Sequence, residues 1–434
     1  ARGGATGSTD LAVFAQLSRY PAAVGTVAGL MLIFALFPGM PFLPFVAGAI
    51  ALGFVAWRLR QSAHVAEALS DSEEREEPAP EPTLGDVIDL DEVHVEFAPD
   101  LVPMVLDSAT GLDARIDNMR AHVATHFGVI LPEIRLTDNA ALTAGSYVIR
   151  IHGVVQGQDR LDPNRVLALL PTDGAQTLPA GEDVKEPVYG APARWLSRSL
   201  ADDAAMLGAT VVNPSEVLAT HLLEVIKSNL SRLVGMKALR RLLDALTTLS
   251  DADRAEANRR MIDDMIPDKV PMDLLLSIIR LLLEERVSIR NLPLILESIA
   301  EVRGATVTPD AICEHVRQKL AFQIIAEVRS SDGTVPLVQL APEWEQTFAA
   351  YTLAEGGASD VALPPDVFQK LTGSVAEKLN TAGDAGHFPA LVTSARRRRF
   401  LRTILGAKGI SNPVLSFEEL AGETRPSLIG LVPA

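Results

Sequence analysis

Leu36-Phe-Pro-Gly-Met-Pro-Phe-Leu-Pro-Phe45 interrupts the most apolar part of this chain. Residues 21–57 contain no charged side chain, yet this decapeptide places three prolines and a glycine at the centre of that run. One helix over the whole run would be roughly 55 Å long against a hydrocarbon core of about 30 Å, so a single straight span fits poorly. Proline and glycine end one helix and start the next. The run therefore reads as two short membrane helices, about 21–37 and 42–57, joined by a tight turn. Arg19 precedes the first, and Arg58 and Arg60 follow the second, so the positive-inside rule puts both ends in the cytoplasm. Trp57 suits an interfacial anchor. The competing readings are a helical hairpin buried in a soluble core and a re-entrant loop. The hairpin has no ionisable side chain, so it offers no proton or ion relay of its own.

Outside that stretch the chain is acidic. Its 434 residues are enough for two to four domains. The net charge of −16 disfavours a general nucleic-acid binder, which needs a basic face to displace phosphate counterions. Cys313 is the single cysteine, so no intrachain disulfide and no cysteine-based metal cluster can form, and a reducing compartment fits. The start, ARGGATGST, is polar and lacks a signal peptide's apolar region, and with no initiating methionine it reads as a fragment of a longer chain. Residues 61–92 hold the acidic run Ser70-Asp-Ser-Glu-Glu-Arg-Glu-Glu77 and the stiff Pro78-Ala-Pro-Glu-Pro82, a linker that holds a domain off the bilayer.

Beyond residue 92 the patterns alternate between strand and helix. Strands are expected at 93–97, 133–137, 147–152, 165–171 and 209–212, from period-two alternation or short apolar runs. Leu112, Ile116, Met119, Val123 and Phe127 mark one helix face. Residues 172–186 read as a loop and 195–207 as a helix. Asn213, Pro214 and Glu216 form the sharpest helix-start signal in the chain. From 235 to about 327 the pattern is almost wholly helical, with helices at 237–249, 272–285, 289–302 and 309–327. Strands at 335–340, 390–393 and 413–416 alternate with helices at 368–380, 400–406 and 417–421, and 389–416 reads as a βαβ unit.

Candidate chemistry is sparse. His122 and His126 lack the glutamate and third ligand of a zinc site. His221 has no evident serine or cysteine partner. No phosphate-binding or nucleophile-elbow motif occurs. Arg396-Arg-Arg-Arg399 is the only basic run: a phosphate site, a solvated helix face, or a contact with acidic protein surface. No metal or cofactor is called for. These residues alone point to a membrane-tethered binding protein without a catalytic constellation.

Several strings resemble one family. Leu131-Pro-Glu-Ile-Arg-Leu-Thr-Asp-Asn139, Tyr147-Val-Ile-Arg-Ile-His-Gly153, Val217-Leu-Ala-Thr-His-Leu222 and Arg286-Val-Ser-Ile-Arg-Asn-Leu-Pro-Leu-Ile-Leu-Glu297 are similar to the export-gate proteins of flagella and injectisomes, the FlhA/SctV family. PGMPFLP resembles the turn of that family's last transmembrane pair. The resemblance implies a membrane helical hairpin plus a multi-subdomain α+β cytoplasmic region: a tail and the last two membrane helices at 1–60, and the linker at 61–92. An α+β unit at 93–164 and 214–234, a small insert at 165–213, a helical unit at 235–315 and an α/β unit at 316–434 would follow. It also implies membrane helices upstream of Ala1 and a place in the bacterial inner membrane. Implied partners are further copies in a nonameric ring, flagellar export chaperone–substrate complexes, the export ATPase complex and other export-gate membrane proteins, with export coupled to the proton-motive force.

In flagellar members of that family the chaperone-docking surface includes a D-P-x-F-G motif and a threonine in A-T-H-L. Here they read Glu186-Pro-Val-Tyr-Gly190 and Ala219-Thr-His-Leu222, so the resemblance nominates Glu186, Tyr189 and Thr220. The bland alternative makes Tyr189 a core residue and has Thr220 bonding back within its helix. A G-Y-x-L-I-P motif is degraded to Ala98-Pro-Asp-Leu-Val-Pro103, losing its Gly-Tyr. The 186–190 string and the C-terminal Val414-Leu-Ser-Phe-Glu-Glu419 and Ile429-Gly-Leu-Val432 favour a flagellar role over the injectisome one. A membrane-tethered enzyme is the remaining alternative.

Overall fold

The computed structural model describes Gly48, Ile50 and residues 89–107, 111–170, 178–302, 308–352, 361–420 and 425–434. The chain forms two compact units, Ala1–Asp89 and Leu90–Ala434. The expected membrane helices and nearly all of the linker lie outside the described residues; Gly48 and Ile50 are helical. Among the described residues no helix is long and apolar enough to cross a membrane.

The second unit begins with β1 (Val93–Phe97), whose alternate residues Val93, Val95 and Phe97 are buried. It lies parallel to β2 (Ile134–Asp138) and antiparallel to β3 (Ser146–Ile151), and β4 (Val154–Arg160) completes the order β2-β1-β3-β4. Helix α1 (Leu112–Phe127) buries Leu112, Ile116, Met119 and Val123, the stripe its spacing predicts. Strand β4 carries no apolar alternation beyond Val154 and Val155, so its sequence hides it. It forms because β3 offers it a ladder.

A second sheet is inserted next. Strands β5 (Arg165–Leu169), β6 (Glu182–Lys185), β7 (Pro192–Ser197) and β8 (Thr210–Val212) are antiparallel in the order β6-β7-β5-β8. Two expectations change here. Part of the expected 172–186 loop is β6, a polar edge strand with little apolar pattern. The expected 195–207 helix starts as strand β7 and turns helical only from Arg198, first as a 3-10 turn (Arg198–Leu200) and then in α2 (Ala201–Met206). Trp195 faces the main core while Leu196 faces the insert's own core. A strand buried on both faces is a continuous apolar run, which periodicity cannot separate from helix.

Helix α3 (Pro214–Ser228) starts where its signal predicts. The backbone N–H of Asn213 donates to Glu216 Oε2 at 3.1 Å. Helices α4 (Met236–Thr247), α5 (Ala252–Met265), α6 (Met272–Glu284), α7 (Leu292–Val302), α8 (Pro309–Lys319) and α9 (Ala321–Val328) follow. The expected 309–327 helix is thus two, broken at Leu320, and α5 is a largely polar helix capped by Asp251. The last sheet is wholly parallel. Strands β9 (Thr334–Leu340), β10 (Ala390–Thr393), β11 (Val414–Ser416) and β12 (Arg425–Val432) order as β11-β10-β9-β12. Helices α10 (Glu343–Ala350), α11 (Pro365–Asp384) and α12 (Ala395–Ala407) alternate with them, and 390–416 is the expected βαβ unit. Residues 417–420 form turns rather than the expected helix.

The basic run opens α12, and most of it is neither solvated nor free for phosphate. Arg398 is wholly buried, its Nε bonded to Glu314 Oε2 at 2.6 Å and its Nη2 to Glu285 Oε1 at 2.9 Å. Arg317 pairs with Glu285 at 3.3 Å and with the buried Glu419 at 2.9 Å. Arg397 is buried against Glu345 and the Phe348 ring, and Arg399 pairs with Asp310 at 2.6 Å. The contact with acidic protein surface is internal: it joins α12 to the C-terminal end of α6 and to α8.

Candidate docking site

The turn between β6 and β7 is built by one carboxylate. Lys185 and Pro192 are the last paired residues of the hairpin. Glu186 N–H donates to Ala191 O at 2.8 Å and Gly190 N–H to Glu186 O at 3.0 Å, which closes the loop. The Glu186 side chain folds back and accepts from Val188 N–H at 2.9 Å and from Tyr189 N–H at 2.8 Å. Gly190 has φ +69° with open space where a Cβ would stand, so glycine is needed for its conformation alone. Glu186 is only 8% exposed, whereas Tyr189 at 72% stands clear of the core. The reading of Tyr189 as a core residue therefore does not hold. Nor is the Glu186 carboxylate a charge displayed to solvent; it is committed to its own loop.

Tyr189 is exposed but not loose. Its hydroxyl donates to Glu224 Oε1 on α3 at 3.1 Å. Glu224 also accepts from Lys227, and its Oε2 lies 3.7 Å from an Arg286 Nη1 at the C-terminal end of α6. Burial works to raise the Glu224 carboxyl, but Lys227, Tyr189 and Arg286 outweigh it and hold it below its ordinary value. Burial first, and then the bond to Glu224, push the Tyr189 phenol up. Thr220 lies four residues before Glu224, on the same face of α3. It is exposed, and its Oγ1 donates to Glu216 O at 2.8 Å, the back-bond within its helix. Glu186 and Tyr189 thus share one turn, and the Tyr189 hydroxyl meets the face of α3 that carries Thr220. Glu224, Lys227 and Arg286 belong to this surface and escape the sequence reading. Tyr189 and Glu224 are 35 residues apart in different elements, and no local pattern pairs them.

His221 points the opposite way from its neighbour. Its Nδ1 shares a 2.6 Å hydrogen bond with the hydroxyl of the fully buried Tyr147. A Cβ on Gly157 of β4 would stand 2.8 Å from its Nε2, so the strand passes the ring closely because that residue is glycine. Burial lowers the His221 pKa, against the charges of Asp159 and Glu186, which raise it. His122 and His126 stack with ring centroids 4.0 Å apart. Among the described residues no group of three or more His, Cys, Asp or Glu is placed to hold a metal ion. The buried Cys313 thiol is pushed up to about 12 by burial, far from a reactive thiolate.

Beside the turn lies a cleft of 1010 Å³ between the first sheet and the insert. Asp100, Arg115, Asp159, Lys185, Arg198 and Glu216 line it, and Pro187 of the turn also borders it. Small-molecule pockets are mostly apolar. A wide, charge-lined cleft next to an anchored tyrosine suits a protein surface better.

A model of the FHIPEP family matches residues 1–425. The flagellar biosynthesis protein FlhA of Caulobacter vibrioides is 33% identical over 99% of this chain and 61% of its own length. That of Bacillus subtilis is 29% identical over 99% of this chain and 63% of its own length. The chain thus spans about three fifths of the curated relatives it matches. Among solved structures, the Chlamydia pneumoniae CdsV protein superposes with a TM-score of 0.69 at 21% identity, covering 79% of this chain and 98% of that one. The nonameric EPEC SctV-C has a TM-score of 0.62 at 17% identity, covering 79% and 98%. A structure of the C. pneumoniae CdsV and CdsO protein complex has a TM-score of 0.67 at 22% identity, over the same shares of each chain. At these identities the likeness shows the fold.

Proposed function

Since the chain belongs to the FHIPEP family, we propose that it serves in a flagellar type III protein export gate, with residues 90–434 as a docking platform for export chaperones and their cargo. The observation that carries this reading is the pose of Tyr189, an exposed aromatic ring anchored at its backbone by Glu186 and at its hydroxyl by Glu224. Interfaces draw most of their energy from a few such anchors, and an aromatic already held in place loses little freedom on binding. Thr220, on the adjoining helix face, belongs to the same surface.

Membership of the family supports a wider role. The chain serves at the bacterial inner membrane, and residues 90–434 act in the cytoplasm. It acts as one copy in a nonameric ring, next to other export-gate membrane proteins and parts of the export ATPase complex, and helps couple export to the proton-motive force. Ring formation is supported by the nonameric assembly of a protein with this fold, and the ATPase-side contact by the CdsV–CdsO complex. The flagellar branch is supported by the FlhA relatives, which match nearly the whole chain. The role is one of docking and not of catalysis.

The test is titration calorimetry of the full chain with a purified flagellar chaperone–filament-protein complex. Tyr189→Ala weakens binding about tenfold or more. Unchanged affinity with an intact fold by circular dichroism rejects the assignment. Stronger binding to an injectisome chaperone complex than to the flagellar one moves the chain to the other branch.

A further inference from the structure

The tyrosine at the docking turn has a hydroxyl, and that hydroxyl is spoken for. It meets Glu224 at 3.1 Å, while the residue's backbone N–H meets Glu186 at 2.8 Å. The residue is held at its backbone and at its hydroxyl, and its ring still faces solvent. Glu224 is itself held from two elements. Lys227, one turn along α3, bonds to it, and Arg286 approaches it from beyond α6. Arg286 has φ +58°, a left-handed conformation that non-glycine residues seldom adopt, and its Nη2 donates to Ser228 Oγ at 3.1 Å. The acceptor for the tyrosine is thus part of a network that spans α3 and the end of α6. An untethered aromatic this exposed samples several rotamers and loses that freedom when a partner seats on it.

Resting on the docking reading above, we propose that Glu224 is the positioning residue of this surface, fixing the pose in which Tyr189 presents its ring to a chaperone–cargo complex. It acts through Tyr189 and need not touch the partner. Because Glu224 and Thr220 share a face of α3, a partner that engages the fixed ring also meets Thr220.

The first experiment needs no partner. The full chain is labelled with 13Cζ-tyrosine, and its four tyrosines are followed through an alkaline titration. A phenol that donates to a carboxylate gives up its proton less readily, so Tyr189 ionises at lower pH in Glu224→Ala than in the parent chain. An unchanged Tyr189 titration overturns the proposal. The second is calorimetry with the chaperone–filament-protein complex. Tyr189→Phe and Glu224→Ala each weaken binding about fivefold, and the double variant is no weaker than the worse single one, because both remove the same bond. Glu224→Gln, which keeps an acceptor for the hydroxyl, recovers most of the affinity. Additive losses, or no rescue by glutamine, overturn the proposal. Unchanged binding by Tyr189→Ala would instead reject the docking reading, while the titration would still report whether Glu224 holds the ring.

Discussion

Arg398 on α12 holds Glu285, which follows the last residue of α6, through an Nη2–Oε1 bond of 2.9 Å, and neither side chain reaches solvent to any extent. Glu314 on α8 completes the clasp. Removing one partner of a buried ion pair leaves an uncompensated charge, which costs about 3–5 kcal/mol. Arg398→Ala therefore lowers the urea midpoint of the second unit sharply. The exposed Arg396→Ala in the same run changes stability by less than about 0.5 kcal/mol. Equal effects of the two substitutions would refute the division of the run into a buried and a solvated part.

The same clasp sets an acid limit. Burial works to raise the Glu285 carboxyl, but Arg317 and Arg398 outweigh it, so its folded pKa lies below the ordinary 4.5. A depressed carboxylate contributes stability that is fully present above its unfolded pKa and is lost as pH falls through the folded value. The contribution from Glu285 accordingly starts to fall below about pH 4.5 and is gone once the pH is well below its folded pKa. In Glu285→Gln that part of the acid dependence is absent, as urea midpoints measured from pH 6 to pH 3 will report.

His221 gives a second, higher window. Burial lowers its pKa below 6.5, so the folded chain binds fewer protons there than the unfolded chain. Stability is full above about pH 6.5 and declines as pH falls toward the folded pKa. His221→Phe flattens the stability profile between pH 6.5 and 5, at the cost of the Tyr147 hydrogen bond at every pH. Gly157→Ala puts a Cβ against the imidazole and lowers stability by about 1–3 kcal/mol. Thermal melts of the three chains at pH 5 and pH 7.5 check both statements.

Glu186 and Tyr189 should fail differently. Tyr189→Ala removes an exposed ring and leaves the fold stable. Glu186→Ala removes the acceptor for two backbone N–H groups, so the turn loses its shape and binding falls through the turn itself. Faster amide exchange at Val188 and Tyr189 in Glu186→Ala, but not in Tyr189→Ala, separates the two causes. Equal exchange in both would mean that the carboxylate does not hold the turn.

Much of the second unit is legible locally. Val93, Val95 and Phe97 alternate, the α1 stripe repeats at helical spacing, and Asn213-Pro214 with Glu216 announces α3; each of these signals is contained within a few residues. The misread strands share one cause. Strand β7 buries both faces, β6 is a polar edge, and β4 takes its shape from β3, so each depends on a neighbouring strand that local pattern does not reveal. Leu320 sits in an unbroken helical pattern, and no proline or glycine announces the break there.

By itself the sequence determined the order of strand- and helix-forming segments, the strongest helix cap and the family to which the chain belongs, because these rest on residues close together in the chain. Tertiary structure alone decided that Arg398 would be buried and that the Glu186 carboxylate would serve its own turn, facts of burial that composition does not carry. It also decided that Tyr189 would be tethered to Glu224. Residues far apart in sequence become neighbours only once the sheets and helices have packed, and their geometry then sets which charges are satisfied and which ring is left exposed.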